Sequence, residues 1–187
     1  MGNRPTAECA LCHEIRLLCD SHLIAAGFSR HLQNPNRDGK NPNPYKITWG
    51  QKVQTSRQFT RYLLCDECEQ LLQSEGEDWV IEHCAQPDGT FPLRSTIEGT
   101  TPLEVDPNYA LYSACGTDIN VRCLSHFAAG VFWRAGVARF SDGKNLTPQL
   151  DLGKKYAEQF RQFLLGRLLF PGNGALCVSF SARPTVL

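Results

Sequence analysis

The sequence predicts an α+β protein in which a zinc-knuckle core is followed by a mainly helical C-terminal half. Three observations predict it. Two Cys-x-x-Cys pairs, Cys9-Ala10-Leu11-Cys12 and Cys65-Asp66-Glu67-Cys68, stand 52 residues apart. The stretch between them is dense in Asn, Pro and Gly at 33–50, which excludes a regular helix there. Downstream, residues 119–140 and 151–169 carry helical apolar patterns. A chain of 187 residues is long enough for one compact domain or for a zinc module joined to a helical part.

Taken in order, residues 8–32 run from the first knuckle into an apolar, partly helical segment, His22 to Leu32. Residues 33–50 form an irregular insertion, long enough to suggest a role of its own. Residues 62–84 hold the second knuckle and then a helix marked by Leu71, Leu72, Trp79 and Val80, with Gly76 as a weakening residue inside it. From Pro87 to about Gly116 the chain is rich in Pro, Gly and Thr, and Thr90–Ile97 reads as a short strand-like piece. Residues 119–140 are apolar on most faces, as a helix buried in a core would be. In 151–169, Leu152, Tyr156, Phe160, Phe163, Leu164 and Leu168 share a face, Asp151 is the expected N-cap, and Pro171-Gly172 the stop. Ala175 to Phe180 reads as a final strand. The expected organisation is a zinc-binding module at 1–86 with a basic insertion at 33–61, a connector at 87–118, and a helical part at 119–187 packed on the module.

No apolar run approaches the ~20 residues that cross a bilayer. The segment Met1-Gly2-Asn3-Arg4-Pro5-Thr6 has no apolar signal region; it fits the loose myristoylation pattern, a coincidence given Pro5 and no second membrane signal. A cytoplasmic, reducing compartment is therefore expected. There, nine cysteines favour metal binding over a disulfide framework. Cys19, Cys84, Cys115, Cys123 and Cys177 lack paired spacing and read as small buried hydrophobes. Formal charge is zero overall but strongly partitioned. Residues 1–64 hold nine Lys/Arg against four Asp/Glu, a net of +5, and residues 65–118 hold one against twelve, a net of −11. Residues 119–187 hold nine against three, a net of +6, so two basic blocks flank an acidic one.

Each Cys-x-x-Cys pair can build a knuckle presenting two thiolates to one tetrahedral ion. Cys9, Cys12, Cys65 and Cys68 are thus the expected ligands of a structural zinc. The long gap is no obstacle. Closing a threefold longer loop costs about 1 kcal/mol more, against roughly 10–16 kcal/mol from structural zinc.

Between the knuckles lies Asp20-Ser21-His22-Leu23-Ile24, and before the second pair Leu63-Leu64. A knuckle, a Ser-His-apolar-apolar step and Leu-Leu-Cys-x-x-Cys-Glu resemble the pattern of bacterial HNH-like zinc proteins. The likeness spans Cys9 to about Glu77, with Phe132-Trp133-Arg134 and Leu152-Gly153 also familiar from that group. The resemblance implies a treble-clef, ββα-metal core, a divalent-metal-dependent endonuclease activity using Mg²⁺ or Mn²⁺, and a bacterial defence or mobile-element setting. By motif position His22 matches the general base, and Glu69 stands where a ligand of the catalytic cation is usual. Ser21 replaces the usual ligating residue before the base, Ala25 the usual proline, and no central Asn is assignable. Pairing Asp20 with Glu69 would restore two carboxylates, which suit Mg²⁺. His13 is expected to be exposed, and His31, His83 and His126 structural or solvated. Glu75, Glu77 and Asp78 read as a solvated helix face.

Nucleic-acid binding has a separate basis. Residues 30–61 carry Arg30, Arg37, Lys40, Lys46, Lys52, Arg57 and Arg61 with only Asp38 opposing, interleaved with Tyr45, Trp49 and Phe59. Cations meet phosphates and aromatics give unpaired bases a platform. The alternative is a non-catalytic zinc-stabilised module that binds nucleic acid, or a protein partner through its helical half.

Overall fold

The computed structural model describes residues 3–32, 43, 45–48, 51–84, 86 and 90–180 of the chain. The architecture is α+β, with small antiparallel sheets and helices gathered on one of them. Strand β1 (Thr6–Glu8) pairs with β2 (Ile15–His22), and β2 pairs with β5 (Thr60–Cys65), giving the order β1-β2-β5. Between β2 and β5 come helix α1 (Ala26–Leu32) and a separate hairpin of β3 (Tyr45–Thr48) and β4 (Gln51–Gln54). The insertion is therefore not irregular throughout: Tyr45, Lys46, Ile47 and Thr48 enter a strand, their register set by pairing with Val53 and its neighbours.

Strand β5 leads directly into α2 (Asp66–Leu72), with Cys65 as N-cap. Asp66, Glu67 and Glu69 in the first turn suit the positive end of the helix. The helix continues through a π-helical turn, Gln73–Glu77, into α3 (Asp78–Cys84). The reason lies at Gly76. A Cβ there would stand 2.7 Å from the Phe127 backbone nitrogen, so only glycine lets this turn press against the facing helix.

That facing helix is α5 (Val121–Val137), whose Asn120 side chain caps it by accepting from the Cys123 N–H at 3.1 Å. It is not uniformly apolar in its surroundings. Ala129, Gly130, Trp133 and Arg134 are buried, while Phe132 on the far side is 50% exposed. Helix α6 (Gly153–Leu164) packs on α5. Its N-cap is Leu152; Asp151 instead accepts the Gly153 N–H at 2.9 Å. It ends well before Pro171, because Gly166 at φ +69° turns the chain out of the helix. Trp133, Phe140, Leu11, Leu64, Leu72 and Leu164 form the main core together with the knuckle cysteines.

The Pro/Gly/Thr-rich segment contains more structure than its composition suggests. Thr90–Ile97, expected as a strand, is mostly helix α4 (Pro92–Glu98). Pro92 stands in the first turn, where its missing N–H costs nothing, and the helix buries Leu93 beside Val80, Cys84 and Ile119. A hairpin of β6 (Glu104–Asp106) and β7 (Tyr109–Leu111) follows. Residues 175–180 pair with no strand; Phe180 instead packs edge-on against Phe91, centroids 5.4 Å apart. Among the described residues no helix is long and apolar enough to cross a membrane.

Candidate metal centre and adjoining cleft

The first knuckle is folded by its own backbone. The Cys9 N–H donates to the Glu14 carbonyl at 2.8 Å and the His13 N–H to the Cys9 carbonyl at 2.8 Å, with His13 at φ +65° completing the turn. The second knuckle is the junction of β5 and α2. Pairing of β2 with β5, Leu18 opposite Cys65, brings the two together. The sulfur atoms of Cys9, Cys12, Cys65 and Cys68 lie within 4.8 Å of one another. Cys12 and Cys65 are 3.9 Å apart. A tetrahedral ion with bonds of about 2.3 Å sets its thiolates about 3.8 Å apart, so the cluster is shaped to hold a metal.

Crowding governs the thiols. The hydrogen bond from Cys68 pulls Cys9 below the ordinary range, and the same contact pushes Cys68 up. Burial raises Cys65 to about 11. A negative charge on one sulfur thus hinders the next, and a bound cation would remove that conflict. The cluster is braced from the C-terminal side, since Arg161 on α6 donates to the Leu11 carbonyl at 2.8 Å. Outside it, Arg4 bridges to Asp66 at 2.8 Å, and the Cys19 thiol donates to Asp66 at 3.1 Å. Burial together with that carboxylate raises Cys19 to about 12.

His22 closes β2 opposite Thr60. Ser21 before it is 1% exposed and accepts the Leu64 N–H at 3.1 Å. Glu69, directly after Cys68 on α2, shares a cleft of about 200 Å³ with His22, Gln73, Glu77, Asp78 and Arg134. Arg134 reaches in from α5 with its side chain 2% exposed, 2.8 Å from Glu77 and 3.9 Å from Glu69. Burial pushes the Glu69 carboxyl above its ordinary value, against the Ser21 hydroxyl and the Arg134 charge. Two buried atoms, Glu69 Oε1 and Arg134 Nε, have no hydrogen-bond partner. His22 also forms one wall of a more open trough of about 550 Å³, with Arg57, Gln58, Thr60, Ser141 and Gly143.

The structure places the expected site residues differently. His22 and Glu69 are brought together. Asp20 does not join them: it is exposed opposite Tyr62, just past the irregularity that interrupts the β2–β5 register. Its place beside Glu69 is taken by Glu77, 14% exposed rather than part of a solvated face. Glu75 pairs instead with Arg122 on α5, and Asp78 accepts from Gln73 at 3.2 Å. An unbroken α-helix would rotate residue 77 about 80° from residue 69; the extra residue of a π turn reduces this to about 20°. Sequence offered only one hint of that turn, Gly76. Arg134 stood out only within the Phe132-Trp133-Arg134 step, which assigned it no partner.

Of the expected nucleic-acid contacts, Lys52, Arg57 and Arg61 are exposed, and Arg61 donates to the Arg139 carbonyl at 3.2 Å. Trp49 and the side chains of Arg30 and Lys46 lie outside the described residues. His13 is exposed and bonds to Glu8 at 2.7 Å, His83 stacks on Trp79, and His126 is buried. Among the unpaired cysteines Cys84 is buried as expected, but Cys115 and Cys177 are exposed. Comparisons of the chain with family models, with curated proteins and with solved structures return no match.

Proposed function

We propose that this chain is an HNH-like, zinc-stabilised protein that acts on nucleic acid, hydrolysing phosphodiesters with His22 as general base. One observation carries the reading: His22 is a wall both of the anionic cleft holding Glu69 and of the open trough holding Arg57. A base placed there can take a proton from a water in the cleft while the strand lies outside it. Four clustered thiols, three of them buried, are the donor set that selects zinc as a structural ion. The antiparallel β2–β5 pair running straight into α2 supports a treble-clef, ββα arrangement around that ion.

The resemblance also implies a catalytic Mg²⁺ or Mn²⁺. The cleft fits one, because Glu69 Oε1 is a buried acceptor without a partner and three carboxylates line the cleft against one guanidinium. Glu69 would hold it, with water completing the shell, and a hydrated divalent ion supplies stabilisation of charge on the leaving oxygen. The chain's own residues do the rest. β2 fixes His22 at the mouth, and Arg57 offers a phosphate contact along the trough.

A specific observation favours a second reading, the non-catalytic module. The Ser21 hydroxyl accepts the Leu64 N–H and the residue is 1% exposed, so the position before His22 supplies no ligand. One pair of measurements separates the two. In the nuclease, His22→Ala abolishes divalent-metal-dependent cleavage of DNA or RNA while zinc content and melting temperature stay nearly unchanged. In the scaffold, the same change lowers the melting temperature and there is no cleavage to lose.

A further inference from the structure

The cleft contains two residues that the motif does not account for, Glu77 and Arg134. They come from different parts of the chain, the π turn and the middle of α5. Both are costly to place there. An arginine side chain 2% exposed has left water almost completely, and its Nε has no acceptor. A helix interior does not adopt a π turn without compensation, and here Gly76 must lie against Phe127 for it to form. The turn's geometric effect is to set Glu77 on the same side as Glu69. The guanidinium then stands 2.8 Å from Glu77 Oε1 and 3.9 Å from Glu69 Oε2, each carboxylate retaining a second oxygen.

We infer that Glu77, and not Asp20, is the second carboxylate through which the cleft takes a divalent cation, and that Arg134 is the residue that positions it. The inference rests on the reading above only for the presence of a cation in the cleft; it does not depend on cleavage. The donor set decides the ion's class. Glu69, Glu77 and Asp78 against one guanidinium leave the cleft anionic, and hard oxygens in a wet cleft suit Mg²⁺ or Mn²⁺ with water retained. Among the described residues no three carboxylate or imidazole ligands cluster tightly here, so the cleft offers no closed cage, and an ion held by Glu69 and Glu77 would keep water in the rest of its shell. Arg134 acts on the carboxylates and does not touch the substrate: it neutralises part of their mutual repulsion and holds their orientation. This also makes α5 part of the site, so residues 1–86 alone would hold the thiol cluster but lack the guanidinium.

The test is Mn²⁺ binding to the zinc-loaded full chain, read from the electron paramagnetic resonance signal of free Mn²⁺. The wild type binds one Mn²⁺, and Glu77→Gln weakens it by about 10-fold or more. Asp20→Asn leaves the affinity unchanged. Arg134→Lys, which keeps the charge and loses the fork, also weakens binding by about 10-fold. Leu164→Ala, which destabilises the same helix pair away from the cleft, leaves the affinity intact and so separates positioning from stability. If Glu77→Gln folds poorly with Arg134 unpaired, Arg134→Met/Glu77→Gln removes both charges and must still bind weakly. Wild-type protein that binds no Mn²⁺ below about 1 mM overturns the inference. Unchanged affinity in both Glu77 variants, or an equal loss in Asp20→Asn, overturns it as well. A protein that binds Mn²⁺ through Glu77 yet leaves DNA and RNA uncut ends the phosphodiesterase reading and leaves this one standing.

Discussion

The thiol cluster and the cleft beside it are built in opposite ways. Each knuckle is local: two cysteines three positions apart are arranged by a few backbone hydrogen bonds, and one strand pairing joins the halves. The cleft gathers His22 from a strand end, Glu69 from a helix start, Glu77 from a π turn and Arg134 from a helix beginning more than 50 residues after Cys68. A local site survives many changes elsewhere. An assembled site inherits every weakness of the packing that assembles it.

The largest expected effect breaks the local side. Cys65→Ser removes a thiolate ligand from a cluster worth roughly 10–16 kcal/mol when it holds zinc. Elemental analysis is expected to find about one zinc per wild-type chain and less in the variant, and thermal unfolding of the variant to lose cooperativity. Soluble, cooperatively folded wild-type protein without zinc would remove the structural-ion reading altogether. Arg134→Met breaks the assembled side and leaves Glu77 largely out of water and unpaired. A loss of about 3–5 kcal/mol in denaturant unfolding is expected. Glu77→Gln added to it should restore much of that loss, since no uncompensated charge remains. Additive losses in the double variant would show that the two side chains do not interact.

That contrast also explains what was legible in the sequence. Cys9, Cys12, Cys65 and Cys68 were readable because tetrahedral metal chemistry imposes short, recognisable spacings. His22 and Glu69 were singled out by their positions relative to those cysteines, and they line one cleft. Asp20, expected beside Glu69, is exposed opposite Tyr62, next to a register irregularity between Cys19 and Asp20 that no residue pattern announces. Glu77 was misassigned because helical periodicity assumes an unbroken α-helix, and the π turn breaks it. Arg134 was noticed only within the Phe132-Trp133-Arg134 step and given no role, because its partners are distant, and a buried arginine in an apolar helix looks like any exposed one until the helix is docked. The same limit hid α4, where Pro92 reads as a breaker unless its place in a first turn is known.

The basic insertion sharpens the comparison from outside the cleft. Replacing Lys46, Lys52, Arg57 and Arg61 together should weaken nucleic-acid binding and leave zinc content and melting temperature unchanged. If each contacts one phosphate of a single strand, the slope of log affinity against log salt falls by about 0.7 per residue. An unchanged slope would assign these cations to solubility.

The smallest expected effect compares the two buried polar side chains of α5. Arg134 faces carboxylates in the cleft, whereas His126, two turns earlier, is buried with one ring nitrogen 3.2 Å from the Leu164 carbonyl and the other without a partner. Burial lowers its pKa, with the Leu164 carbonyl opposing. The sign follows from which state binds the proton more readily. The unfolded chain protonates this imidazole near its ordinary value of about 6.5, and the folded chain only at lower pH. Its contribution is therefore complete above about pH 6.5 and is lost as pH falls from there through the folded value, with a slope of at most about 1.4 kcal/mol per pH unit. His126→Gln should cost stability at pH 8 by removing the packed ring. Its pH dependence between about 6.5 and 5 should be shallower than the wild type's, because glutamine has no proton to take up. Denaturant midpoints for both proteins across that range, at fixed excess zinc so that thiolate protonation is common to both, provide the measurement. Parallel curves would mean that the imidazole is as easily charged in the folded protein as in the unfolded chain, and that the buried face of α5 holds only one electrostatically significant side chain, Arg134.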